Sequence, residues 1–140
     1  MIKEIVFMSQ NKAERLNPSS SSAIISITDP GKKANLRGWS NILTLQFDDL
    51  CPEELILINR KDLLNNSKLF DGGHARQIYL FVKGLPDHVN TLFIHCKAGV
   101  SRSTALAYFI ADKLGASVLN ESGERSNPNP HVVKVMMENW

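Results

Sequence analysis

The chain has 140 residues, 43% of them apolar and 21% charged, with a net charge of +2. That length predicts one domain over residues 1–140 with a single buried core, and so small a charge does not suggest a nucleic-acid partner. No apolar run approaches the roughly 20 residues of a membrane span, and the start MIKEIVFMSQ is too short and mixed for a signal peptide, so a cytoplasmic protein with no membrane partner is expected.

Ile5-Val6-Phe7-Met8 reads as a short buried strand, and Gln10 to Leu16 as one or two helical turns. Pro18 and the serines Ser19 to Ser22 form a polar loop before a second strand, Ala23 to Ile27, which the turn signal Asp29-Pro30-Gly31 ends. Lys32, Lys33 and Arg37 follow, either as solvated surface or as an electropositive lip for anions. In Ile42 to Phe47, the alternation of Leu43, Leu45 and Phe47 with polar residues predicts a strand with one buried face. Pro52-Glu53-Glu54 opens a helix, with proline at its permitted position and acids at the positive dipole end. Asn65 to Gly73 is loop-like. A helix over His74 to Gly84 carries Ile78, Phe81, Val82 and Leu85 at helical spacing. Thr91 to His95 is a fourth, apolar strand. The stretch Thr104 to Leu114 is apolar nearly all round, which predicts a buried helix, and Gly115 stops it. After a polar loop from Ser122, Asn129-Pro130 starts a last helix whose apolar stripe is Val133, Met136, Met137 and Trp140. Strands alternating with helices predict an α/β domain with a mostly parallel sheet of about four to five strands and helices on both faces.

The chemistry concentrates in His95-Cys96-Lys97-Ala98-Gly99-Val100-Ser101-Arg102-Ser103. The only other cysteine is Cys51, and the pair forms neither a secreted disulfide framework nor a zinc spacing. With Cys96 ending a strand and Arg102 opening a helix, the residues between them must curl into a cup. A helix N-terminus leaves its first N–H donors unpaired, and a cup of such donors at its positive end holds an anion. Gly99 suits a tight loop. Lys97, Ala98, Gly99, Val100 and Ser101 are therefore expected to bind a phosphate group, with Arg102 adding a fork that grips two of its oxygens. The same field favours the thiolate of Cys96, which is the reactive form of a cysteine. Attack on phosphorus would give a phosphocysteine. The amides and Arg102 supply the charge stabilisation that a metal would otherwise give, so no metal or cofactor is expected. Ser103 is placed to donate to the sulfur as it leaves in the second step.

This segment resembles the signature loop of the cysteine-dependent protein tyrosine phosphatase superfamily, HC-x2-G-x2-R-S/T. His95, Cys96, Gly99, Arg102 and Ser103 match every fixed position. The string HCKAGVSRS looks most like the dual-specificity branch. Leu45-Gln46-Phe47-Asp48-Asp49 looks like the family's strand that delivers the general acid. Pro128-Asn129 with Val132 to Glu138 looks like its Pro-Asn-capped final helix. The resemblance covers about two-thirds of the chain and implies the phosphatase-like fold. It also implies that His95 braces the loop by bonding to backbone and is not a base.

A phosphomonoester leaving group needs a proton, and the same acid later deprotonates the attacking water. Asp49 is favoured over Asp48 for that task, because the family pattern aligns Phe47 with the last apolar position and Asp49 with the acid. The interval from Asp49 to Cys96 is longer than in common dual-specificity members, with extra residues around Pro52 to Gly72; Asp62 and Asp71 are more distant alternatives. Cys51, just after Asp49, is either a buried packing residue or a partner for a reversible Cys51–Cys96 disulfide.

The expected activity is hydrolysis of phosphoproteins at phosphotyrosine, and also at phosphoserine and phosphothreonine if the pocket is shallow. The lipid-phosphatase branch resembles HCKAGKGRT; this chain shares Lys97 but has Val100 and Ser101, which weakens an inositide reading. A non-catalytic phosphate-binding module and a rhodanese-like sulfur carrier are the competing classes. The first usually lacks the cysteine or the arginine, and the second is disfavoured by Arg102 together with Ser103.

Overall fold

The computed structural model describes all residues from Met1 to Trp140. In chain order it contains β1 (Glu4–Ser9), α1 (Gln10–Ala13), β2 (Ser22–Thr28), β3 (Ile42–Gln46), α2 (Pro52–Leu57), a 3-10 turn (Lys61–Leu64), α3 (Gly72–Lys83), β4 (Thr91–Cys96), α4 (Arg102–Leu114), β5 (Ser117–Asn120) and α5 (Pro130–Asn139). The strands form one five-stranded sheet in the order β3-β2-β4-β1-β5, and every pairing is parallel. This is the α/β class expected from the alternation of elements. No helix is long and apolar enough to cross a membrane.

The central strand β4 pairs with β1 on one side, Ser9 opposite Cys96, and with β2 on the other, Ser26 opposite His95. Its alternate residues face opposite ways. Leu92, Ile94 and Cys96 join the main core with Ile5, Phe7, Ile25 and Ile27. Phe93 packs on the other face, against a small cluster of Val6, Met8, Ala13 and Ile24. The two faces are covered unequally. α3, α4 and α5 contribute to the main core, whereas the opposite face has only α1 and the loop residues Leu16, Leu36 and Trp39. That second face is interrupted by polar side chains, Ser26, Thr28 and His95, all buried, so it offers little apolar area for a long helix to cover.

Several boundaries and faces differ from expectation. β5 lies outside the predicted strands: its residues are mostly exposed and pair only with β1, at the sheet edge. α3 starts at Gly72 because Asp71 caps it, its Oδ1 accepting from His74 N at 3.1 Å. α4 starts at Arg102, and Gly115 ends it in the left-handed conformation with φ +66°. On α5 the buried stripe is Val132, Val135 and Met136; Met137 is 70% exposed, so it is not part of the stripe. Val133 and Trp140, both expected in the stripe, pack partly buried against the core, Trp140 edge-on to Tyr79 and Phe109.

Candidate active site

Strand ends at the carboxyl edge of a parallel sheet are where ligands bind in open α/β folds. β4 delivers Cys96 there, 2% exposed, and α4 begins six residues later. The segment between them is fastened by its carbonyls. Lys97 O accepts from Gln10 N at 3.2 Å, Val100 O from Asn127 N at 2.9 Å, and Ser101 O from both Ala105 N at 3.1 Å and Asn129 N at 3.2 Å. None of the amides from Lys97 to Ser101 donates to a backbone carbonyl. Acceptors tied to the surrounding chain and donors left free make this segment a donor-rich loop.

The cap of α4 adds to this. Ser9, Asp71 and Asn129 cap α1, α3 and α5 with their side chains. Ser101 occupies the same position on α4 but makes no capping bond; its hydroxyl is turned to Asp49 Oδ1, to which it donates at 2.8 Å. The first amides of this 13-residue helix are thus available to an anion.

Gly99 is the residue that permits the loop. Its φ is +74°, and a Cβ built on it would lie 2.5 Å from the Met8 carbonyl carbon and 2.6 Å from Ser9 N. Those are backbone atoms of β1, which cannot move without disturbing its pairing with β4. Gly99→Ala is expected to destabilise the fold by about 2–4 kcal/mol and to abolish the stabilisation that added phosphate gives the wild type. Thermal melts with and without inorganic phosphate measure both; an alanine protein with wild-type melting and phosphate response excludes this loop geometry.

Arg102 is 4% exposed. Its Nη1 donates to Asp29 Oδ1 at 2.8 Å and to the Phe47 carbonyl at 2.8 Å, while its Nε is buried with no protein partner. A buried donor without an acceptor costs free energy unless something else meets it, and a phosphate oxygen is such a partner. In the sequence Asp29 reads only as part of a turn. Its ion pair spans 73 residues of chain, a distance at which local pattern carries no signal.

Ser103 Oγ lies 3.1 Å from Cys96 Sγ, with both residues buried. His95 is fully buried; its Nε2 bonds Ser26 Oγ at 2.6 Å and its Nδ1 the Cys96 carbonyl at 3.2 Å. Burial holds its protonation below the ordinary histidine range, although the Cys96 backbone bond works the other way. Neither ring nitrogen is bonded to the Cys96 sulfur, so the ring is placed as a brace.

The aspartates separate clearly. Asp48 Oδ2 accepts from Lys68 N at 2.7 Å, and Asp48 N donates to Lys68 O at 2.7 Å. Asp49 is turned to the loop, bonded to Ser101 and, at 2.8 Å, to Asn129 Nδ2. Asp62 pairs with Arg60 at 3.1 Å, and Asp71 is spent on the α3 cap. Phe47, at the base of these aspartates, is fully buried against Phe70 with ring centroids 4.9 Å apart. Cys51 and Cys96 are both buried and form no disulfide. Cys51 Sγ meets Glu53 Oε2 at 3.5 Å, and Cys51 lines a small polar cleft with Asp49, Ser101 and Asn129. Lys32, Lys33, Arg37 and Lys97 are exposed. The Asn129-Pro130 pattern signals a helix cap but carries no sign of the second use of Asn129, whose amide bonds Asp49 and the Leu50 carbonyl.

Comparison of the chain with protein-family models, with curated proteins and with solved structures gave no match.

Proposed function

We propose that this protein is a phosphomonoester hydrolase that acts on phosphoproteins through a phosphocysteine, without a metal. The observation that supports this reading best is the Cys96–Arg102 segment itself: free amides, a sulfur at one end, and a buried guanidinium with an unpaired Nε at the other. It agrees with the resemblance of HCKAGVSRS to the dual-specificity loop.

In the first step the phosphate oxygens take the loop amides and the free edge of Arg102, and Cys96 Sγ attacks phosphorus. The P–O bond breaks, its electron pair stays on the leaving oxygen, and that oxygen takes a proton from Asp49. In the second step a water oxygen attacks phosphorus while Asp49 takes the water's proton. The P–S bond breaks, and the Ser103 hydroxyl steadies the departing sulfur. Inorganic phosphate leaves, and the thiolate and the protonated Asp49 are restored. The amides and guanidinium meet negative charge as it builds on the equatorial oxygens, where fixed donors count most. The rim is open, since Lys97, Ala98 and Asp49 are exposed, which suits a phosphorylated side chain carried on a polypeptide.

The test is phosphate release from para-nitrophenyl phosphate and from phosphotyrosyl, phosphoseryl and phosphothreonyl peptides in the presence of a chelator. Turnover with vanadate inhibition is expected; no release from any of them rejects the proposal. Asp49→Ala is expected to slow release of phenol from phenyl phosphate about 10²-fold, toward the low end of general-acid effects because phenol is a tolerable leaving group. The same variant loses little on an activated ester such as dinitrophenyl phosphate. Equal losses on both esters would take the acid role away from Asp49.

A further inference from the structure

Resting on that reading, we propose that Asn129 is a positioning residue for the acid. Together with Ser101 it fixes Oδ1 of Asp49, so that the proton given to the leaving group sits on Oδ2.

Asn129 is 4% exposed and its side chain is divided between two tasks. Oδ1 caps α5, accepting from His131 N at 2.9 Å and Val132 N at 3.3 Å. Nδ2 donates to Asp49 Oδ1 at 2.8 Å and to the Leu50 carbonyl at 3.1 Å. Capping uses only an oxygen, and serine, threonine or aspartate supplies one equally well. The amino half is not needed for the cap, and both its bonds go to the acid loop. Among those capping residues only asparagine carries an acceptor and an amide donor together.

Ser101 converges on the same atom, its hydroxyl 2.8 Å from Asp49 Oδ1. An oxygen receiving two donors has no room for a proton of its own without losing one of those bonds. The transferable proton therefore belongs on Oδ2. Asn129 N also donates to Ser101 O at 3.2 Å, which closes a triangle of Asp49, Ser101 and Asn129. The triangle ties an exposed carboxylate to the starts of two helices, α4 and α5.

Asn129→Asp keeps the capping oxygen and replaces the donor with a second carboxylate. With phenyl phosphate, kcat is expected to fall roughly 10- to 100-fold while KM changes little, and with dinitrophenyl phosphate kcat stays near wild type. The alkaline limb of the phenyl phosphate profile moves to higher pH, because a neighbouring carboxylate opposes loss of the acid's proton. Asn129→Ser retains a cap and only loses the donor. It is expected to show the same leaving-group dependence with a smaller shift in the same direction, because losing a donor to the carboxylate also disfavours its charged form, and it decides the matter if the aspartate variant folds poorly. Wild-type leaving-group dependence and pH profile in the folded variants overturn the proposal and leave Asn129 as a helix cap. A wild-type protein that hydrolyses neither ester overturns the hydrolase reading itself, and this role with it.

Discussion

Cys96→Ser is expected to lower phosphate release from para-nitrophenyl phosphate about 10⁴-fold or more, while phosphate still raises its melting temperature. A buried serine at this position stays a hydroxyl, and a hydroxyl is a poor nucleophile unless a base removes its proton. No such base is in place. The His95 nitrogens are committed to Ser26 and to the Cys96 carbonyl, and Asp49 is held by Ser101 and Asn129. The change replaces one atom of a side chain that is 2% exposed, so the fold and the donor loop remain. An anion that binds only the folded form stabilises it in proportion to its saturation, so the melting shift reports the loop independently of chemistry. The pairing of lost turnover with retained anion binding separates a nucleophile from a residue that merely shapes the loop. A serine protein with wild-type turnover removes the phosphocysteine from the mechanism. A wild-type protein that binds phosphate but never releases it from an ester is a phosphate-binding module. Quenching wild-type turnover in acid should trap phosphate on Cys96, and the trapped fraction should change with Asp49→Ala.

What the sequence made legible is what is encoded locally. The strand–loop–helix around Cys96 could be read because a buried strand, an obligatory glycine and a buried helix follow each other within one short stretch. The alternation in Ile42 to Phe47 was equally direct, and Leu45 and Phe47 are buried. β5 was not legible: an edge strand of Ser117–Asn120 has little apolar pattern, and its ladder to β1 depends on chain more than a hundred residues away. Met136 and Met137 carry the same hydropathy, and only the packing of α5 against α3 and α4 buries the first and leaves the second exposed. The acid-loop aspartates differed for the same reason. Asp48 and Asp49 are chemically identical neighbours, and what separates them is Lys68 on one side and Ser101 with Asn129 on the other. Asp29 was hidden by its partner's distance in the chain. Its carboxylate looks like a turn residue until Arg102 is brought to it by the pairing of β2 with β4.

That placement makes Arg102→Lys the second severe substitution, with kcat/KM for aryl phosphates expected to fall about 10³-fold or more. The variant keeps one positive charge, and an ammonium can still meet Asp29 and the Phe47 carbonyl in place of Nη1. It has no counterpart for the Nε edge, which in the wild type is buried and unpaired. A guanidinium presents parallel donors in a rigid plane, and these match two oxygens of a phosphate; an ammonium meets them as a single point. If charge alone mattered, lysine would retain most of the activity. If the fork matters, lysine and alanine variants are similarly inactive, and both lose the melting shift that phosphate gives the wild type and Cys96→Ser. The stability cost is small, because the ammonium keeps the contacts with Asp29 and the Phe47 carbonyl and Asp29 is partly exposed, so water also reaches it. The measurements are kcat/KM and the phosphate-induced melting shift, each compared across Cys96→Ser, Arg102→Lys and the wild type. Cys96→Ser should lose only the first quantity and Arg102→Lys both. A lysine variant that binds phosphate as well as wild type moves the grip from the guanidinium to the amides of Lys97 to Ser101, and leaves Arg102 as the strut that joins Asp29 to the loop.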